Sequence, residues 1–438
     1  MCSEPVSQPS PVSCGPVVKT APGESPGTAP VQRDTHSDKG HGMTFMTLRK
    51  TARAAAVALA ATMAATAFTV PAQASPNAAR GAAGHEATRR AMDAEVKAGI
   101  PGITAQVRDA HGVWKATSGV GDRSTGAPRG ENDRYRVGSI TKTFVATVLL
   151  QLEAEGRLDL DDTVEDHLPG LVRGNGNDGG KITVRQLLSH TSGLFDYLAD
   201  EKYVETYMRG EGYLKHRYDT LPPLKHVKVA LSHPPQFTPG KEFSYSNTNY
   251  ILAGLILEKA GKRTYEAPVR DRILKPLGMT ATTNPGNSIR LPRPSSRAYS
   301  KLFDAQPDRI DDVTEMNGSQ GWADGDIIST NGDLNRFYRA LMRGQLLPPQ
   351  QLKAMKTPGP STGRAGMSYG LGLMKIRTSC GTTLWGHGGG MVGSTSLAVT
   401  TEDGRHQLAY NRNGDWNTGA PDAITEAEYC RPKALRNR

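Results

Sequence analysis

Apolar positions along this chain change period from one region to the next. Residues 80–99 show helical periodicity, while 103–109 and 113–118 alternate like strands on either side of the hairpin signal Ala110-His111-Gly112. A short extended segment, 134–137, leads into the clearest helix of the chain, 143–156, which Gly156 ends. A helix with a threonine cap is expected over 183–190. Residues 196–237 are polar and tyrosine-rich, with weak periodicity. Amphipathic helices are expected over 249–260, stopped by Gly261, and over 265–274, followed by Pro276-Leu277-Gly278. Residues 280–318 read as irregular, and 330–344 as a helix stopped by Gly344. Alternation then returns in four strand candidates, 369–376, 382–388, 394–400 and 406–411, the last two joined by the turn Glu402-Asp403-Gly404-Arg405. A helix over 420–429 closes the pattern.

Strands at both ends of a helical middle imply an α/β fold, an antiparallel β-sheet flanked by helices with an inserted, mostly helical domain. The expected division is a discontinuous sheet domain from 75–137 and 319–432, with 138–318 inserted into it. No internal repeat is present.

The first 74 residues follow different rules. Met46 to Arg53 is basic, 54–70 is uncharged and alanine-rich, and Ala72-Gln73-Ala74 is an A-x-A site. Together they read as a secretory signal peptide cut after Ala74. The apolar stretch is short and dominated by alanine, so it would span a bilayer poorly, and no stable membrane span is expected. Residues 1–42 are rich in Pro, Ser, Gly and Thr without periodicity and read as disordered. A signal belongs at the N-terminus, which places the expected start at Met43 or Met46.

Charge and cysteine usage fit an exported protein. The chain carries 53 Lys+Arg against 43 Asp+Glu, a formal net charge of +10. That moderate basicity suits an anionic cell-wall environment. No basic run is interleaved with aromatics, so nucleic acid is not an expected partner. Cys2 and Cys14 lie in the leader, which leaves Cys380 and Cys430. An even pair in an exported chain favours one disulfide, tying the final helix to a C-terminal strand.

Three short elements carry candidate chemistry. In Ser139-Ile140-Thr141-Lys142, the serine opens a helix and the lysine follows one turn later on the same face. An amine within reach of a hydroxyl is what a nucleophilic serine needs to lose its proton. In Tyr245-Ser246-Asn247, a phenol can relay protons and an amide can hydrogen-bond a substrate amide. In Trp385-Gly386-His387-Gly388-Gly389-Gly390, three residues without side chains end a strand candidate. A substrate backbone can approach closely there, and a free N–H can join that of Ser139 as an oxyanion donor.

In this order the three elements resemble the serine β-lactamase and penicillin-binding superfamily. The likeness is nearest to class C β-lactamases and to secreted actinomycete D-alanyl-D-alanine carboxypeptidases, and it covers about residues 85–432. It also includes 182–194, Pro239-Gly240, Asn249-Tyr250, 276–279, 369–373 and the Cys380/Cys430 pair. The resemblance implies a β-lactamase/transpeptidase-like fold and a set of roles. Ser139 is the acylated nucleophile and Lys142, at least partly neutral, helps to deprotonate it. Tyr245 relays the proton to the leaving group, Asn247 binds the acyl-side amide, and the N–H groups of Ser139 and Gly390 form the oxyanion hole. Trp322 walls the cleft, and His387, Gly388 and Gly389 border it.

The chain departs from its closest likenesses at the third element. His387-Gly388-Gly389-Gly390 stands where such carboxypeptidases have His-Thr-Gly-Thr, and where class C enzymes have Lys-Thr-Gly. Met374 stands where the carboxypeptidases have an arginine that holds the substrate's terminal carboxylate. Lys375 is adjacent, but strand alternation points it to the opposite face.

The reading is therefore an exported, monomeric serine hydrolase without cofactor or metal. It is expected to act on D-Ala-D-Ala peptidoglycan stem peptides or another small acyl substrate, with β-lactams as acylating ligands. A class C-type β-lactamase, an esterase, a D-amino-acid amidase and a non-catalytic penicillin- or peptidoglycan-binding protein are the alternatives. Two further patterns lack their structural context. Gly366-Met-Ser368-Tyr-Gly370 follows a Pro/Gly-rich loop rather than a strand, and Gly174-Asn-Gly176-Asn-Asp-Gly179 sits in a polar loop with no strand before it. His190 and His233 read as structural.

Overall fold

A computed structural model describes residues 84–303, 308–416 and 422–430. The expected leader, signal peptide and cleavage site lie outside the described residues. The main sheet has seven strands: β1 (Gly102–Asp109), β2 (Gly112–Gly119), β3 (Met367–Tyr369), β4 (Met374–Arg377), β5 (Thr383–Met391), β6 (Ser394–Thr401) and β7 (Gln407–Arg412). Their spatial order is β2-β1-β7-β6-β5-β4-β3, and every pairing is antiparallel. Asp109 faces Gly112, so Ala110-His111 is a two-residue hairpin turn. Ile103 faces Arg412, which brings the first strand beside the last.

Helices cover both faces of the sheet. On one side α1 (Glu86–Lys97) meets the terminal helix, which spans Ala423–Tyr429; Met92, Ile100 and Ile424 join Val107, Leu408 and Tyr410 in one apolar cluster. On the other side lie α2 (Thr141–Ala154), α3 (Val184–Leu188), α4 (Thr248–Gly261) and α5 (Asn331–Met342). Phe337 of α5 stacks on Phe144 of α2 with ring centroids 3.8 Å apart. Apolar burial runs without a break from α2 and α4 to Trp385, Ala398 and Ala409 of the sheet. Every residue of β7 is buried, because a strand covered on both faces hides its polar positions too. α2 is buried from Thr141 to Leu150, so it is a central helix rather than a surface amphipath.

The expected strand 369–376 is two strands. β3 and β4 fold back on each other, with Met374 facing Tyr369. Gly370-Leu371-Gly372-Leu373 makes the turn, where Gly372 takes a positive φ and Gly370 N–H donates to the carbonyl of Leu373. Residues 196–237 are more regular than their pattern, with helices at Glu201–Tyr207, Gly210–His216 and Pro223–Leu231. Tyr203, Tyr207 and Tyr213 are their buried anchors, and a core of phenols weakens an apolar count. A helix at Pro349–Lys356 was also not expected. The 265–274 helix is α-helical over Glu266–Val269 and widens to a π-turn over Arg270–Leu274.

Cys380, in the β4–β5 turn, is bonded to Cys430 at the end of the terminal helix. Among the described residues no helix is long and apolar enough to cross a membrane.

Candidate active site

Ser139 is the one partly exposed residue in an otherwise buried run from Tyr135 to Leu150. The approach to it is pinned. Tyr135 and Arg136 pair with Ser329 and Ile328, and Val137 N–H donates to the Ile327 carbonyl at 2.8 Å. Gly138 then turns at φ +57 into the 3-10 turn that opens α2. One helical turn later Lys142 is fully buried. Its Nζ donates to Ser139 Oγ at 2.9 Å, Asn247 Oδ1 at 2.7 Å and the Asp324 carbonyl at 2.8 Å. Three acceptors match the three N–H groups of an ammonium; a neutral amine keeps two of them and can turn its lone pair to the serine.

Tyr245 and Asn247 stand just before α4. The Tyr245 side chain stands beside Ser139 and Lys142, and the Lys142 ammonium lies 5.2 Å from its ring centroid. Desolvation raises its pKa and outweighs the pull of Lys142, so the phenol keeps its proton at neutral pH. His190 packs beneath it, with ring centroids 4.1 Å apart. The His190 Nδ1 accepts from Ser246 N–H and from Asn249 Nδ2, and burial first, then Lys142, push its pKa well below the ordinary value. His190 is thus a neutral platform for Tyr245.

The Asn247 amide has commitments that the sequence did not disclose. Its Nδ2 donates to Asp196 at 3.0 Å, its backbone N–H donates to the same carboxylate, and its Oδ1 faces Lys142. In this arrangement Asn247 orients the lysine, and its N–H donors are turned toward Asp196. Below Lys142, the Asp324 carboxylate accepts from Tyr197 at 2.6 Å, and burial pushes its pKa up to about 7.

β5 forms the opposite wall. A Cβ on Gly389 would stand 1.9 Å from the Val137 carbonyl oxygen and 3.0 Å from the Ser139 nitrogen. Backbone therefore meets backbone at the Ser139 turn, and only glycine allows it. His387 is buried. Its Nε2 lies 2.8 Å from the Tyr369 hydroxyl and its Nδ1 meets the Gly388 carbonyl. Desolvation pushes its pKa down to about 3, so it is neutral at physiological pH and accepts from Tyr369.

A cavity of about 460 Å³ opens before these groups, lined by Ser139, Tyr245, His387 and Gly388 to Gly390, and also by Phe243, Met374 and Arg364. Lys375 is turned away, its ammonium 5.4 Å from the Trp385 ring centroid. Trp322 does not line this cavity. It is buried against Tyr265, with ring centroids 5.1 Å apart, and lies over Gly254, where a Cβ would be 2.8 Å from the indole. The position read as a cleft wall is a core contact of α4. Ser368 lies on β3 opposite Lys375, and no helix follows it. A larger groove of about 880 Å³ near Arg217 and Arg293 contains no serine–lysine pair. Among the described residues no group of three or more His, Cys, Asp or Glu is placed to hold a metal.

Residues 82–415 match the Beta-lactamase family. The chain belongs to that family. It is a serine hydrolase of the β-lactamase and penicillin-binding superfamily, with that superfamily's mixed α/β fold. A crystal structure of a D-stereospecific amidohydrolase from Streptomyces sp. is 52% identical, with a TM-score of 0.75 over 79% of this chain and 98% of its own. The D-amino acid amidase from Ochrobactrum anthropi SV3 is 28% identical, with a TM-score of 0.66 over 78% of this chain and 96% of its own. Penicillin-binding protein 4* of Bacillus subtilis (strain 168) is 26% identical over 72% of this chain and 68% of its own.

Asp196, Asp324, His190 and Arg364 escaped the sequence reading as members of this site. His190, at the end of the expected 183–190 helix, and Asp196, in a segment of weak periodicity, reach Tyr245 and Asn247 from about 50 residues away in sequence. No local signal announces such contacts.

Proposed function

We propose that this β-lactamase-family hydrolase cleaves amides of D-amino acids through an acyl-enzyme on Ser139. The observation that carries this reading is the cavity wall at β4. Met374 lines it where carboxypeptidase-like relatives have an arginine, and Lys375 points away. β4 presents no cation to the cavity, so the carboxypeptidase-type grip on a terminal D-alanine from this strand is missing, and a small amide leaving group needs none. The similarity to a D-stereospecific amidohydrolase and a D-amino acid amidase supports the same class and its stereochemistry.

On this reading the steps run through Ser139, Lys142, Tyr245 and Gly390. Ser139 Oγ attacks the substrate carbonyl carbon while its proton passes to Lys142 as a neutral amine. The N–H groups of Ser139 and Gly390 donate to the oxyanion. The protonated Tyr245 hands its proton to the leaving nitrogen and is reprotonated through Lys142. As the C–N bond breaks, an ester on Ser139 remains. Water, losing a proton to the same pair, attacks that ester and returns the serine. β-Lactams meet the same nucleophile and are acylating ligands on this reading.

A substrate panel tests it: D-phenylalanine amide, L-phenylalanine amide, a D-Ala-D-Ala peptide and a p-nitrophenyl ester. Preferred turnover of the D-amide supports the proposal. Turnover of the D-Ala-D-Ala peptide above the D-amide, or of the ester alone, overturns it. Labelling by a fluorescent penicillin should vanish in Ser139→Ala; a label that persists would remove Ser139 from the nucleophile's place.

A further inference from the structure

Among the residues that line the cavity before Ser139, Arg364 is the one charged side chain. His387, which also lines it, is held neutral by burial. Among the described residues the Arg364 guanidinium forms no ion pair or side-chain hydrogen bond, and it is exposed. It comes from the loop between the helix Pro349–Lys356 and β3, the same side of the cavity as Met367 and Met374. The loop is held in place. Met367 N–H donates to the Arg364 carbonyl at 3.2 Å, Thr362 Oγ1 donates to the Met367 carbonyl at 2.9 Å, and Arg377 N–H donates to the Gly366 carbonyl at 2.8 Å. The cavity lining thus includes an always-charged fork of donors carried on an anchored turn.

We infer that Arg364 binds the carboxylate of a leaving group, so that the enzyme accepts D-aminoacyl peptides with a free C-terminus as well as simple amides. The inference rests on the D-amide reading above and names a second substrate class for the same site. Tyr245 protonates the leaving nitrogen, so the leaving residue lies on the side of the cavity formed by Tyr245 and Phe243, in the volume that Arg364 shares. The carboxylate of a departing amino acid is two bonds from that nitrogen. A guanidinium meets a carboxylate with two parallel N–H···O bonds, a match that an amide end cannot offer. The chain lacks an arginine on β4, and the Arg364 loop brings one to the same cavity from a different element.

The test compares D-Phe-Gly with D-Phe-Gly amide, the same scissile bond with and without the carboxylate. The unaltered enzyme should favour the acid. Arg364→Gln should lower the acid-to-amide ratio of kcat/KM by about five- to tenfold, the range of a partly exposed ion pair with good geometry. Arg364→Lys should recover part of that ratio, and added salt should reduce it in the unaltered enzyme. A ratio that Arg364→Gln leaves unchanged overturns the inference. If the unaltered enzyme leaves D-phenylalanine amide and both dipeptides intact, the amide reading fails by itself. The arginine is then tested by protection of Ser139 from penicillin acylation. Better protection by the acid than by its amide, lost in Arg364→Gln, supports it, and equal protection overturns it.

Discussion

At Tyr245, burial raises the phenol's pKa while the Lys142 ammonium pulls it down, and burial prevails. A phenol that stays protonated is a proton donor, and the demand for that donor depends on the leaving group. An amine must be protonated to depart, whereas p-nitrophenolate leaves unaided. Tyr245→Phe should therefore cut D-amide turnover by about 10²- to 10⁴-fold and p-nitrophenyl ester turnover far less. Equal losses on both substrates would remove the donor role. Asp196 acts one contact further out. Asp196→Ala should let the Asn247 amide turn away from Lys142 and lower kcat more than it raises KM, read from steady-state kinetics on the amide. At this scale the sequence disclosed what local spacing can disclose. Ser139 and Lys142 are one helical turn apart, so their contact is fixed by helix geometry. The Asp196–Asn247 bond and the His190–Tyr245 stack need chain segments that no periodicity connects.

The site's elements meet through backbone rather than side chains. A Cβ on Gly389 would strike the Val137 carbonyl, so Gly389→Ala should push β5 away from the Ser139 turn. The expected outcome is a loss of acylation rate of roughly 10²-fold or more, since an oxyanion donor is displaced, with a lowered Tm. An unchanged penicillin acylation rate would contradict the close approach. The Cys380–Cys430 bond closes a separation of 50 residues between the β4–β5 turn and the terminal helix. The double change Cys380→Ser/Cys430→Ser should reduce stability by about 4 kcal/mol in the chain-entropy account. Denaturant unfolding reads that loss, and kinetics on folded protein should change little. Most elements were legible because helix stops and strand alternation are local. Thr183 and Gln186 form the reciprocal cap that opens α3. The β3–β4 hairpin was not legible, since its tight turn contains two leucines that read as strand positions.

Across the whole molecule, the cost of the buried site should appear in the pH dependence of stability. Asp324 is held up to about 7 against an ordinary 3.8. Between those values the folded protein keeps a proton that the unfolded chain has released. Stability from this group therefore falls as pH rises from about 4 to 7. Asp324→Asn, which keeps an acceptor for Tyr197, should flatten that fall by up to about 1.4 kcal/mol per pH unit, measured by denaturant unfolding across the window. Equal slopes in both proteins would place the proton elsewhere. Export remains our proposal from the leader's composition. N-terminal sequencing of protein recovered from the medium should begin at about Ser75, and a retained leader would refute it. The sequence by itself determined the fold class, the serine–lysine pair and the ordered set of three elements, because caps, periods and short spacings act within a few residues. Tertiary structure alone decided that Asn247 serves Lys142 through Asp196, that Trp322 belongs to the core, and that an arginine from a distant loop reaches the cavity. Those are contacts between segments far apart in the chain, and only packing brings them together.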